Sequence, residues 1–291
     1  MFRKFFIGFV AFLVLNVWAQ ATTNKPIVFV SLEVQEGWVK KIAGDKVVVE
    51  SLIKAGTNAH TYEPKPSTMK QLARASLLLG IGIEFEEVWF LKFQQLYPNI
   101  KIVKLDEKMN KIENDEHAHA HHEHDEFCEH GHFDPHVWLS VVNAKIAADK
   151  ILEALINTDG ANEAEYRANY AKFIAELDAL HSELSSKLAP LKGAKFMVFH
   201  PTWGYFARDY DLVQVPIEVG GKEPKPAQLQ KLIKAAKEQR VRTIFVQRGF
   251  SQKAARQLAQ EIGARVLETD PLSARWAEGM RSFAEAISAT K

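Results

Sequence analysis

The sequence predicts an α/β protein of two lobes, each a parallel sheet flanked by helices, joined by one long backbone helix. Three observations lead there. Short β-branched runs alternate with helix-length stretches, the pattern of strand-helix-strand units. The alternation occurs twice. Between the two sets lies segment 163–191, which carries no glycine and no proline before Pro190. Along it Tyr166, Tyr170, Phe173, Leu177, Leu180 and Leu184 recur every three or four residues, one apolar stripe on a single helix. At 1.5 Å per residue such a helix reaches roughly 35 to 40 Å, enough to run past both lobes. A bend near Ala179 would give two shorter helices instead.

In the first lobe, strands are expected at 27–32, 47–53, 77–81 and 100–105. Helices fill the gaps: 33–43 runs into Gly44, another begins at Ser67 behind Pro66, and 84–97 stops at Pro98. A helix over 140–157 precedes the long one. In the second lobe, strands are expected at 195–200, 212–217, 243–247 and 264–270, with helices at 227–238, 251–262 and 275–289. The resulting domain plan is a leader over 1–21, an N-terminal lobe over 22–160, a linking helix over 161–191 and a C-terminal lobe over 192–291.

The leader is read from Arg3 and Lys4, the apolar run 5–17 and the small residues of Ala19-Gln20-Ala21. These are the basic, apolar and cleavage regions of a secretory signal peptide. The apolar run is shorter than the roughly 20 residues a bilayer span needs. A mature chain beginning near Thr22, released into a periplasm, is the expectation. A net charge of +1 gives no reason to invoke nucleic acid or a membrane surface. The single Cys128 cannot form an intramolecular disulfide, so the fold must rest on its apolar core.

The most distinctive segment is an acidic insert within 113–132. Between Asp115 and His132 it gathers seven of the eleven histidines: His117, His119, His121, His122, His124, His130 and His132. Imidazole suits zinc, copper and nickel, and interleaved carboxylates attract the cation. The spacing is irregular, so the segment predicts a lower-affinity metal loop, or an acidic insert with incidental metal affinity.

A second, ordered site is carried by residues at strand ends, where open parallel sheets bind ligands. His60 follows the second strand. His136 lies in Asp134-Pro-His-Val-Trp-Leu-Ser, just before a helix. His200 ends the strand over 195–200, and Asp270 ends that over 264–270. Each alone is more often a hydrogen-bonded cap than a ligand. Together, two fall in each lobe, so closing the lobes would join them; three imidazoles with a carboxylate or water make a tetrahedral zinc set. Glu63, Asp134 and Glu218 are candidates to hold an imidazole through its other nitrogen. Trp138, Trp203, Tyr205 and Phe206 are candidates to wall the cleft or to fill the core.

These residues resemble the solute-binding proteins of zinc and manganese ABC importers, the group containing the ZnuA-type zinc receptors. The resemblance spans essentially the whole mature chain. It rests on His60 with Tyr-Glu-Pro-Lys-Pro-Ser behind it, on Asp134-Pro-His-Val-Trp-Leu-Ser, and on His200 followed by an aromatic, Trp203, and Gly-Tyr-Phe. It rests further on Gly220-Gly-Lys-Glu-Pro, Ile244-Phe-Val-Gln and Thr269-Asp-Pro-Leu. It implies His60, His136 and His200 as ligands, Asp270 or water in the fourth position, and Zn2+ as cargo. It also implies an inner-membrane ABC permease as partner; a cleft protein presenting both lobes to a permease needs no partner copy, so a monomer, and not an enzyme, is expected. A histidine at position 200 implies zinc, because manganese members carry glutamate there; a manganese receptor is the alternative within the family. Ala59 stands where the family frequently has proline.

Outside the family, a periplasmic metal buffer or an adhesin needs no further residues. A zinc hydrolase is disfavoured, since the chain has no His-Glu-x-x-His helix and no evident general base.

Overall fold

The computed structural model describes residues 25–113, 133–219, 222–250 and 252–289. The leader and all seven insert histidines, with Cys128, lie outside the described residues. Among the described residues no helix is long and apolar enough to cross a membrane.

The N-terminal lobe runs β1 (Ile27–Leu32), α1 (Glu33–Ala43), β2 (Val48–Ile53), α2 (Pro66–Leu72), β3 (Leu77–Gly80), α3 (Glu84–Leu96), β4 (Lys101–Lys104) and α4 (Val141–Thr158). A single helix α5 (Glu163–Leu188) follows, unbroken through Ala179. The C-terminal lobe runs β5 (Lys195–Val198), α6 (Gly204–Asp209), β6 (Val213–Pro216), α7 (Pro226–Glu238), β7 (Thr243–Gln247), α8 (Lys253–Ile262), β8 (Arg265–Thr269) and α9 (Trp276–Ser288). The expected elements are therefore present, with ends moved by one to three residues. The exception is α6, a six-residue helix absent from the sequence reading.

Both sheets are wholly parallel and share one strand order, β2-β1-β3-β4 and β6-β5-β7-β8. In each, the chain winds outward from a central pair, β1 with β3 and β5 with β7. A crevice opens at the carboxyl ends of that pair. His200 lies just past central β5, whereas His60, His136 and Asp270 lie in the loops after the flanking strands β2, β4 and β8.

Side-chain alternation sorts the interior. In β5 and β7, Phe196, Val198 and Phe245 point into the main core with α9, while Met197, Phe199, Ile244 and Val246 point into a smaller outer core under α7 and α8. The N-terminal sheet, α5, α9 and the inner face of the second sheet form one continuous cluster, in which Leu180 and Leu184 of α5 are buried.

Two tryptophans tie the lobes together. Trp138 Nε1 donates to the Pro271 carbonyl at 3.0 Å, and Trp276 Nε1 donates to the Trp138 carbonyl at 2.8 Å. Trp38 packs edge-on against Trp276 with ring centres 5.4 Å apart. The insert is closed at its base by an antiparallel bridge between Glu113 and Phe133.

Candidate metal centre

His60, His136 and His200 converge from three loops. His60 follows β2, its backbone N–H held at 3.0 Å by Asn58 Oδ1, a short-range turn contact. His136 precedes a 3-10 turn at Val137–Leu139, and α4 then starts at a Ser140 cap that accepts from Asn143 N at 3.1 Å. His200 lies two residues past β5. There Thr202 Oγ1 donates to Gln247 Oε1 at 2.7 Å, tying the ends of β5 and β7 together.

One ring nitrogen from each imidazole lies within 4.8 Å of the other two. His60 Nε2 and His200 Nε2 are 3.1 Å apart. Two ring nitrogens at that distance either share a proton or share a cation. Nitrogens on one tetrahedral zinc, bound at 2.0–2.1 Å, stand roughly 3.3 Å apart, so the spacing fits a common ion.

Behind the cluster the His136 and His200 rings hydrogen-bond a carboxylate through Nδ1, and the His60 ring has one at ion-pair distance. Asp134 Oδ1 lies 2.7 Å from His136 Nδ1 and also accepts the His136 backbone N–H at 2.9 Å. Glu218 Oε2 lies 2.6 Å from His200 Nδ1. Glu84 Oε2 lies 3.5 Å from His60 Nδ1. A proton on Nδ1 facing a carboxylate leaves the Nε2 lone pair for the centre, the arrangement that orients metal-binding histidines and raises their basicity. Of the residues expected in this role, Asp134 and Glu218 are in place. Glu63 instead is exposed and lines a groove with Lys54, Tyr62 and Lys65, and Glu84 stands at His60. Glu84 begins α3, far from His60 in sequence, so only the crevice between β1 and β3 brings the two together.

Asp270 is not part of the three-nitrogen group. Its carboxylate faces Arg248, Oδ2 to Nη1 at 3.6 Å, and Arg248 also donates to Glu268 at 2.9 Å. Burial raises the Asp270 carboxyl above its ordinary range, against the pull of Arg248.

The aromatic candidates divide. The Trp138 ring lies 5.2 Å from His136, and Tyr205 donates to the Asp134 carbonyl at 2.7 Å, so these two frame the site. Trp203 stacks on Phe283 at 3.5 Å and Phe206 packs against the same ring, both within the core. Phe250, absent from the sequence reading, stacks on His200 with ring centres 4.6 Å apart and planes 20° apart.

Burial sets the charge state. It pushes His200 down to about 4, opposed by Glu218 and reinforced by His136 and His60. The imidazole therefore enters the site neutral, as a ligand must be. Two residues beyond Glu84, Glu86 accepts from Ile81 N at 2.7 Å and Gly82 N at 2.9 Å, yet burial lifts it to about 7.

A model of the family described as zinc-uptake complex component A, periplasmic, matches residues 28–290. The chain belongs to this family. Its members are periplasmic or lipoprotein metal-binding receptors of ABC importers, not enzymes. The chain is 37% identical to ZnuA in a crystal structure, with a TM-score of 0.84 over 92% of this chain and 99% of that one. A ZnuA deletion mutant with zinc bound gives a TM-score of 0.81 at the same identity, over 92% and 98%. A Treponema pallidum (strain Nichols) protein described as metal-binding is 33% identical over 84% of this chain and 78% of its own length. The zinc-binding lipoprotein AdcA of Streptococcus pneumoniae (serotype 4, strain ATCC BAA-334 / TIGR4) is 30% identical over 86% of this chain. The chain spans about half the length of that protein, 51%.

Proposed function

We propose that the protein captures Zn2+ in the periplasm, holds it between its lobes, and delivers it to an inner-membrane ABC permease. The observation that carries this reading is the convergence of three imidazoles, each with a carboxylate at its outward nitrogen. His60, His136 and His200 are the ligands. Water takes the fourth position, with Asp270 standing off toward Arg248.

Zinc is favoured over manganese by the donor set, since imidazole suits zinc and carboxylate with water suits manganese. The three outward carboxylates add negative potential that attracts a divalent cation without spending a coordination position. A relative named as zinc-binding and a zinc-bound relative of the same fold support the same cargo. The histidines within 113–132 supply weaker sites that raise the local zinc concentration beside the cleft.

Zinc titration against a competing chelator tests the proposal, using the full mature chain and the same chain with His200→Ala. One tight site that disappears in the variant is the expected result. Tight binding that survives His200→Ala, or manganese held more tightly than zinc, would overturn it.

A further inference from the structure

Beside the cluster the two lobes approach backbone to backbone at Gly56 and Gly249. Gly56, in the loop that carries His60, has φ +77°, and Gly249, in the loop after β7, has φ +89°. Both values favour glycine. A Cβ at Gly249 would fall 2.6 Å from the Gly56 carbonyl oxygen, and one at Gly56 would fall 3.0 Å from Arg248 Cδ. The two backbones are thus pressed together across the cleft. The next residue, Phe250, lays its ring on His200 and turns its edge toward His60, ring centres 6.4 Å apart.

An aromatic ring stacked on an imidazole does two things for a metal site. It fixes the ring plane, which with the Nδ1 bond to Glu218 defines the direction of the Nε2 lone pair. It also replaces water on that face by carbon, which strengthens the charge interactions inside. Neither Glu218 nor the Thr202–Gln247 bond can do the second, because both lie behind or beside the imidazole.

We propose that Phe250 is a positioning residue of the zinc site. The Gly56–Gly249 contact holds its ring against His200, and parting of these two loops sets the rate of zinc release. The proposal rests on the reading of His200 as a zinc ligand. Zinc leaves on the side of the His60 loop and the β7–α8 loop, while the tryptophan contacts keep the lobes joined elsewhere.

Zinc dissociation from the loaded full-length mature protein into excess chelator is the measurement, with Co2+ absorption as a second readout of ligand geometry. Phe250→Ala should keep one tight site, release zinc about three- to tenfold faster and alter the Co2+ spectrum, in line with the worth of one aromatic contact. Phe250→Tyr should restore both. Gly249→Ala should also speed release. Gly193→Ala should not, although Gly193 has φ +74°, because a Cβ there meets nothing within 4 Å. The pair separates backbone strain from the loop contact.

Wild-type release and an unchanged Co2+ spectrum in Phe250→Ala would overturn the inference while leaving the zinc reading intact. Equal acceleration by Gly193→Ala and Gly249→Ala would overturn the loop contact. Tight binding that survives His200→Ala would remove both readings together.

Discussion

Set side by side, the central strands of the two lobes bury their faces differently. β1 and β3 place Val28, Phe29, Val30, Leu77, Leu78 and Leu79 in one continuous core. β5 and β7 divide theirs, Phe196, Val198 and Phe245 inward, Met197, Phe199, Ile244 and Val246 outward under α7 and α8. One strand order therefore supports two mechanical situations. The first lobe, α5, α9 and the inner face of the second sheet act as a single body. The α7–α8 layer is a separate packing unit, and the loop bearing Phe250 leads into it. His200 emerges where the two cores meet.

The largest test of that contrast is a pair of cavities. Leu180→Ala in α5 and Leu258→Ala in α8 each remove a fully packed side chain and should cost about 2 to 5 kcal/mol. Hydrogen exchange should differ: Leu180→Ala raises exchange throughout the main core, whereas Leu258→Ala raises it in α7 and α8 and leaves α5 protected. Uniform loss of protection in both variants would dissolve the distinction.

The lobes also differ in how they respond to acid. His200 is held at about 4 in the fold and titrates near 6.5 unfolded, so between those values the unfolded state binds the extra proton. Its contribution makes stability fall as pH drops from 6.5 to 4. Glu86 is raised to about 7, above its ordinary 4.5, so the folded state binds the extra proton. Its contribution is present below 4.5 and is lost as pH rises through 7. From 4.5 to 6.5 the two slopes oppose. The metal-free protein should therefore show a flatter profile of urea stability against pH than either variant. Glu86→Gln should expose the acid-side loss due to His200, on the order of 3 kcal/mol at most. His200→Gln should expose the opposite slope. Profiles that do not diverge would show that the two groups do not offset one another.

Smaller effects belong to the outward carboxylates. Asp134→Asn in one lobe and Glu218→Gln in the other should each weaken zinc by about 10- to 100-fold, read by chelator competition. Glu84→Gln should cost less, about threefold, because its contact with His60 is 3.5 Å rather than 2.6–2.7 Å. An effect of Glu84→Gln as large as the others would place His60 under the same restraint as its partners.

Legibility in the sequence followed locality. Strand-helix alternation is written in periodicity, so the two sheets and α5 were readable to within three residues. Helix α6 was not, because six residues give under two turns and no stripe to detect. The meeting of three imidazoles was readable in part, since His60 and His200 lie in the loops after β2 and β5, while His136 precedes a helical turn. Asp134 was readable because it stands two residues from the imidazole it holds. Sequence proximity misdirected the reading at His60, where the nearby Glu63 turns outward and Glu84 arrives from another helix. Asp270 ends its strand as expected, but its pairing with Arg248 depends on the β7–β8 register that places Gln247 beside Thr269. Phe250 left no signal, since a single aromatic after a strand has no pattern.

The bridge between Glu113 and Phe133 gives the insert a fixed doorway. The chain leaves and re-enters the N-terminal lobe through this one pair of residues. Asp134 and His136 follow that closed pair directly, so their backbone is anchored by the lobe itself, with Tyr205 donating to the Asp134 carbonyl.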